Sequence, residues 1–317
     1  MADVVQGSTL YAGSVSEATI YKILAGNGFQ WGDHVRFEPM VDAKPRQLTR
    51  GEDSGTALIA NVSKPRQSDF DGSTWATTID GRQLNVTPVI ALKQIDNREW
   101  LTTFKRFQPT GTSIDLQVNT EIRDITIDLS LNKIHTEINA LNSSGTAGAA
   151  AWDGFSTLIL ADGDATQVGT PAVLTSANII DYMFDLRDAV DPRLRSNPNL
   201  KIFCSYADAD LFDRAARGTQ DAQVTATLDG VRSITQANGG SVPVVPIEGI
   251  PKDFVFITVA GTGDDSNLVQ GFWMEEDMTA LSLYKEQPAD EVWNLVFRAS
   301  FGVNYYTGKD IWYLNAV

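Results

Sequence analysis

The chain has 317 residues, 43% of them hydrophobic and 9% aromatic, which allows a substantial core in one large domain or about two to three small ones. Its net charge of −15 is unevenly placed: residues 1–110 hold 12 Lys+Arg against 12 Asp+Glu, while residues 111–317 hold 13 against 28. A body this acidic does not grip phosphate backbones through a basic footprint, which argues against sequence-reading nucleic-acid binding. No run of 18 apolar residues occurs, and the N-terminus Met1-Ala-Asp-Val-Val-Gln lacks a basic region and an apolar core. Neither a membrane span nor a secretory signal is therefore expected. The sole cysteine, Cys204, excludes an intrachain disulfide and fits a reducing compartment at synthesis.

Residues 1 to about 34 have weak periodicity and several glycines, with a short helix predicted from Ser16 to Leu24. By itself this stretch reads as an irregular lead-in. Residues 35–72 are polar, and Lys44, Arg46, Arg50, Lys64 and Arg66 concentrate positive charge there. Two β-prone runs, Ser73 to Ile79 and Arg82 to Leu92, then flank Asp80-Gly81. That dipeptide predicts a hairpin, because a type I′ turn needs positive φ at both central residues. Leu84, Val86, Ile90 and Leu92 would share one face of it at period two. An isolated hairpin is marginal, so this one needs a partner surface, on its own domain or elsewhere.

From Thr112 the pattern is helical to Asn142-Ser-Ser-Gly145. Val118, Ile122, Ile125 and Leu129 form one apolar series; Ile127, Leu131, Ile134, Ile138 and Leu141 form an offset second. The offset predicts a kink, or burial on two sides, near 127–130 in a helix of roughly 45 Å. Its β-branched residues are poor helix formers, so packing must hold it. A Gly- and Ala-rich stretch, Trp152-Asp-Gly-Phe155 and the short apolar Leu158-Ile-Leu160 follow.

The next helix carries Ile179, Met183, Leu186 and Val190 on one stripe, with Thr175 or Ser176 as N-cap and Pro192 as stop. A strand is predicted from Leu200 to Ser205. Ser205 and Asp208 have capping-box spacing, so a further helix should start at Tyr206, bury Leu211, Phe212 and Ala215, and end at Gly218. A polar loop through Gly230 and Asn238-Gly239-Gly240 leads to an extended Ser241–Pro246, a Gly249-Ile250-Pro251 turn and the strand Phe254–Ile257. Strands are also predicted over Leu268–Met274, Ala280–Tyr284, Glu291–Tyr306 and Ile311–Leu314, the long third one fitting a central position.

Motifs that carry chemistry are absent. With two histidines, His34 and His135, and no zinc-type spacing, a zinc site is not expected. There is no nucleophile elbow, phosphate loop or dinucleotide fingerprint, so no cofactor is expected. Asp162-Gly-Asp164 lacks the other ligands of a calcium loop. Asp208, Asp210 and Asp213 read as a solvated helix face rather than paired catalytic carboxylates, and His135 as a packed side chain.

The order helix, strand, helix, long loop, proline-punctuated strand, tight turn and buried strand over Ser176–Ile257 resembles the A-domain of HK97-type major capsid proteins of tailed phages. The preceding hairpin and long helix, and the strands that follow, come in the right order for the rest of that fold. The resemblance implies an α+β, HK97-like capsid fold: an N-terminal arm (1–34), an extended β-hairpin E-loop region (35–110), a P-domain with a long spine helix and antiparallel sheet (111–142 and 273–306), and an A-domain (143–272 and 307–317). It implies a self-assembling, non-enzymatic subunit of an icosahedral head that encloses double-stranded DNA without reading it, assembled in the host cytoplasm and resident in the virion. Implied partners are further copies in hexamers and pentamers, a scaffolding protein or segment, a portal and, in some members, a decoration protein; no membrane is involved. No long charged helix precedes residue 35, so a separate scaffold or a removed pro-segment is expected. Arg46, Arg50, Lys64, Arg66 and Trp75 are the candidate inter-subunit contacts. An encapsulin-type compartment shell shares the fold, and a soluble α+β enzyme with no linear signature is the alternative from another class.

Overall fold

The computed structural model describes residues 29–39, 46–54, 76–96, 116–147, 152–169, 172–218, 224–226, 232–235, 241–272, 281–284 and 292–316. Lys64, Arg66, Trp75 and the helix expected at Ser16–Leu24 lie outside them.

The described chain opens with a 3₁₀ turn, Trp31–Asp33, then β1 (Arg36–Pro39), β2 (Arg46–Ser54), β3 (Ala76–Leu84) and β4 (Thr87–Asp96). The long helix α1 spans Leu116–Ser144, followed by the short helix α2 (Phe155–Ala161) and β5 (Thr166–Gln167). Next come α3 (Ile179–Ala189), β6 (Leu200–Cys204), α4 (Tyr206–Gly218), β7 (Val224–Ala226), β8 (Arg232–Thr235), β9 (Ser241–Pro246) and β10 (Phe254–Val259). β11 (Leu268–Phe272), β12 (Leu281–Tyr284), β13 (Val292–Tyr305) and β14 (Trp312–Asn315) complete it.

Two sheets organise these elements. The five-stranded sheet is centred on β13, as its length predicts: β4 pairs along Val292–Phe301, while β11 and β12 share the other edge. These pairs are antiparallel, but β1 joins β11 in parallel, so the five-stranded sheet is mixed at one edge. The seven-stranded sheet has the order β5-β14-β10-β6-β9-β8-β7. β7 and β8 lie where a polar loop is predicted; β8 pairs antiparallel with β9, and β7 with β8.

Period-two alternation along the seven-stranded sheet feeds two cores. Val255 and Ile257 of β10, Ile202 of β6 and Leu314 of β14 face α3 and α4. Phe254 and Phe256, Phe203 and Tyr313 face the other way, onto Trp31, α2, the C-terminal half of α1 and the inner face of β13. The two sheets therefore share one core, and β10 is buried along its whole length. Trp31 and Val35 belong to this core, although the sequence placed them in an irregular or polar lead-in. Trp31 Nε1 donates to Ser143 Oγ at 3.2 Å, and Trp152 Nε1 donates to Asn142 Oδ1 at 3.1 Å, so two indoles pin the end of α1.

On α1, Ile134 and Ile138 of the second predicted series are buried, while Leu131 and Leu141 pack at the margin. All four members of the α3 stripe, Ile179, Met183, Leu186 and Val190, are fully buried. The α3 cap differs from the expectation. Residues 176–178 form a turn, and Asn178 Oδ1 accepts from Thr175 N at 2.7 Å instead of Thr175 or Ser176 capping the helix. The α4 cap is as predicted: Asp208 N donates to Ser205 Oγ at 3.1 Å, and Ser205 Oγ donates to Asp208 Oδ2 at 2.7 Å.

The predicted hairpin turn at Asp80-Gly81 does not form. β3 runs straight through both residues and pairs antiparallel with β2, upstream, from Arg46↔Leu84 to Ser54↔Ala76. β4 takes a ten-position ladder with β13 instead, and that long-range pairing outweighs the local turn preference. The expected shared face breaks accordingly: Leu84 is buried, while Ile90 is 56% and Leu92 69% exposed.

Candidate assembly elements

The paired strands β2 and β3 form a two-stranded sheet of their own. It meets the body at its base. Leu48 and Leu84 pack on Val269 of β11, with Val86 and Tyr306 at the margin. Asn304 Nδ2 donates to the Gln83 carbonyl at 2.9 Å. Where the chain crosses from β3 to β4 it lies over Gly302, at which any β-carbon would collide with the Asn85 carbonyl. At Gly271 an added β-carbon would sit 3.0 Å from Leu84 Cδ2 and from Val86 Cγ1.

Arg82 adds a charged tie. Its Nη2 lies 2.6 Å from Asp162 Oδ2, in the loop between α2 and β5, and its Cζ stands 4.6 Å from the centre of the Tyr305 ring. Asp162 and Asp164, considered above as a calcium loop, instead face this guanidinium. Nothing local marks the pairing: the partners are 80 residues apart.

Among the predicted contact residues, Arg46 and Arg50 lie on β2, at the register positions facing Leu84 and Asp80. A separate unfilled surface is the outer side of β4, where Ile90 and Leu92 project beside the exposed Arg298 that faces Ile90 across the ladder.

No cluster of three His, Cys, Asp or Glu fit for a metal exists among the described residues. Contrary to the solvated-face expectation, Asp208 is fully buried, whereas Asp210 is exposed. Burial holds the Asp208 carboxyl above the usual carboxylate range. Its Oδ2 also accepts from the backbone N of Asp253, a left-handed residue at φ 66° whose own carboxylate accepts from Leu174 N. His34 Nδ1 lies 3.0 Å from Lys201 Nζ; burial, then the ammonium, lowers the imidazole to about 4. Lys201 is itself lowered by burial. His135 packs beside Phe29, ring centres 6.3 Å apart. No described helix is long and apolar enough to cross a membrane.

No protein-family model matches the sequence, and no curated protein matches it. Solved structures do. A Mycobacterium phage Adephagia chain matches with TM-score 0.52 at 12% identity, covering 96% of this chain and 97% of its own. The capsid of an empty GTA particle gives 0.51 at 14%, covering 89% and 88%. The satellite phage P4 procapsid gives 0.50 at 11%, covering 98% and 93%. At such identities the likeness is one of fold, and along nearly its whole length this chain carries the α+β capsid fold implied by the order of its elements.

Proposed function

We propose that this chain is a major capsid protein of a tailed phage, a structural subunit that assembles into a closed icosahedral head around double-stranded DNA. The observation that carries the reading is the fold match, over 89–98% of this chain, to a chain of Mycobacterium phage Adephagia, the satellite phage P4 procapsid and the capsid of an empty GTA particle. In this reading α1 and the five-stranded sheet serve as the P-domain, and the seven-stranded sheet with α3 and α4 as the A-domain that gathers copies around an axis. The β2–β3 hairpin serves as the E-loop lapping a neighbour, with Arg46, Arg50, Lys64, Arg66 and Trp75 on the contact. The work is geometric rather than catalytic: small contacts become cooperative by repetition around a closed lattice. A scaffold, a portal and decoration proteins would be its partners.

The test is to express the chain, with and without a co-expressed scaffold, and to measure particle size by negative-stain microscopy and sedimentation. Shells or capsomers are expected. A monodisperse monomer across concentration and salt in both settings overturns the reading. Particles that consistently enclose an enzyme rather than a genome would reassign the chain to an encapsulin-type compartment.

A further inference from the structure

Three parts of the fold meet on the side chain of Arg82: β3 of the hairpin, which carries it; Tyr305 of β13, whose ring it covers; and the α2–β5 loop, whose Asp162 it binds. The Tyr305 hydroxyl lies 2.8 Å from the same Asp162 Oδ2 and 3.1 Å from the Leu158 carbonyl, so aromatic ring and carboxylate form one rigid seat. Asp162 is further fixed by accepting from Asp164 N at 3.0 Å, and Asp164 Oδ2 lies 3.7 Å from the guanidinium. The Asp162 side chain is only 9% exposed, which lifts this pair above an ordinary surface salt bridge.

Apart from the hydrogen bond from Asn304 Nδ2 to the Gln83 carbonyl, the neighbouring contacts have a different character. Leu48 and Leu84 rest on Val269, and the chain at Leu84–Val86 passes over Gly271 and Gly302. Apolar packing of this kind is non-directional, so it keeps the base in place without fixing the direction of the strands that leave it. The guanidinium is directional: it must satisfy a carboxylate on one body and a ring face on the other at once. Its position two residues before Leu84 puts it at the root of the arm.

We propose that Arg82 is the latch that sets the angle of the β2–β3 arm against both sheets, and that its release lets the arm pivot about the Leu84–Val86 crossing. The proposal rests on the reading of the arm as an inter-subunit element, in which its angle fixes the geometry between neighbours and hence the uniformity of particle size.

The test compares wild type, Arg82→Gln and Arg82→Lys by hydrogen exchange on the unassembled chain and by the diameters of assembled particles. In Arg82→Gln, amides of β2 and β3 should exchange about tenfold faster, as expected for one lost charge-assisted hydrogen bond that is partly solvent-screened, while β10 stays unchanged. Arg82→Lys should fall between, because it keeps the charge but loses the fork and the stacking. High salt applied to wild type should speed the hairpin selectively, which keeps the test open even if a variant fails to fold. Equal acceleration of β10 and the hairpin, or a wild-type hairpin indifferent to salt, overturns the latch. A broadened diameter distribution in Arg82→Gln is expected; uniform wild-type diameters from a faster-exchanging variant overturn its link to the lattice. Wild type that never assembles defeats the capsid reading instead, and the exchange result still decides the latch.

Discussion

Gly302 of β13 stands directly across the ladder from Gly271 of β11, and the chain leaving the hairpin fills the notch above both. A methyl group at Gly302 would meet the Asn85 carbonyl, which is backbone and cannot rotate away. Gly302→Ala should therefore cost about 1–3 kcal/mol, the usual range for overpacking. Gly163→Ala, where nothing lies within 4 Å, should stay within about 0.5 kcal/mol. Denaturant melts of both variants check this; equal effects would mean that the crossing is not closely packed.

Asp208 gives a pH dependence with a definite sign. Burial raises its carboxyl in the folded state, so its favourable contribution is full below the unfolded value near 3.8 and is lost as pH rises through the folded one. Asp208→Asn is neutral throughout and keeps an oxygen for the Ser205 hydroxyl and Asp253 N. The melting temperature of the variant minus that of wild type should increase from pH 3.5 to pH 8. A difference independent of pH would show that the carboxylate is not charged in a desolvated site.

His34 has the opposite sign. Its folded value is depressed to about 4 from 6.5, so the stability it contributes is present above 6.5 and is lost as pH falls toward 4. The imidazole proton resonances should titrate with a midpoint near 4, and Lys201→Met should move that midpoint upward by removing the neighbouring ammonium. An ordinary midpoint near 6.5 in wild type would place His34 in water.

The basic segment tests assembly apart from folding. Replacing Arg46, Arg50, Lys64 and Arg66 with Ser removes four of the five positive charges between residues 44 and 66. Exposed pairs contribute only about 0–1 kcal/mol each, but a shell repeats them at every subunit. The melting temperature should hold while particle yield falls sharply, and wild-type yield should drop with salt. A lower melting temperature with normal assembly would assign these charges to their own subunit.

The sequence by itself determined the elements whose signal is local. The α3 stripe, the Ser205–Asp208 cap, the long β13 and the end of α1 near Gly145 all follow from side-chain period and capping chemistry within a few residues. The order of those elements was enough to imply the capsid fold. Only the tertiary structure decided which strands pair. Asp80-Gly81 carries the local chemistry of a turn, yet β13 offers β4 ten partners and β2 offers β3 nine, and ladders of that length outweigh one dipeptide. Nor does local sequence signal that Trp31 is core, that Asp208 is buried, or that Arg82 reaches Asp162. Each depends on a surface supplied from far along the chain, and a buried or paired side chain differs from a solvated one only once that surface has closed over it.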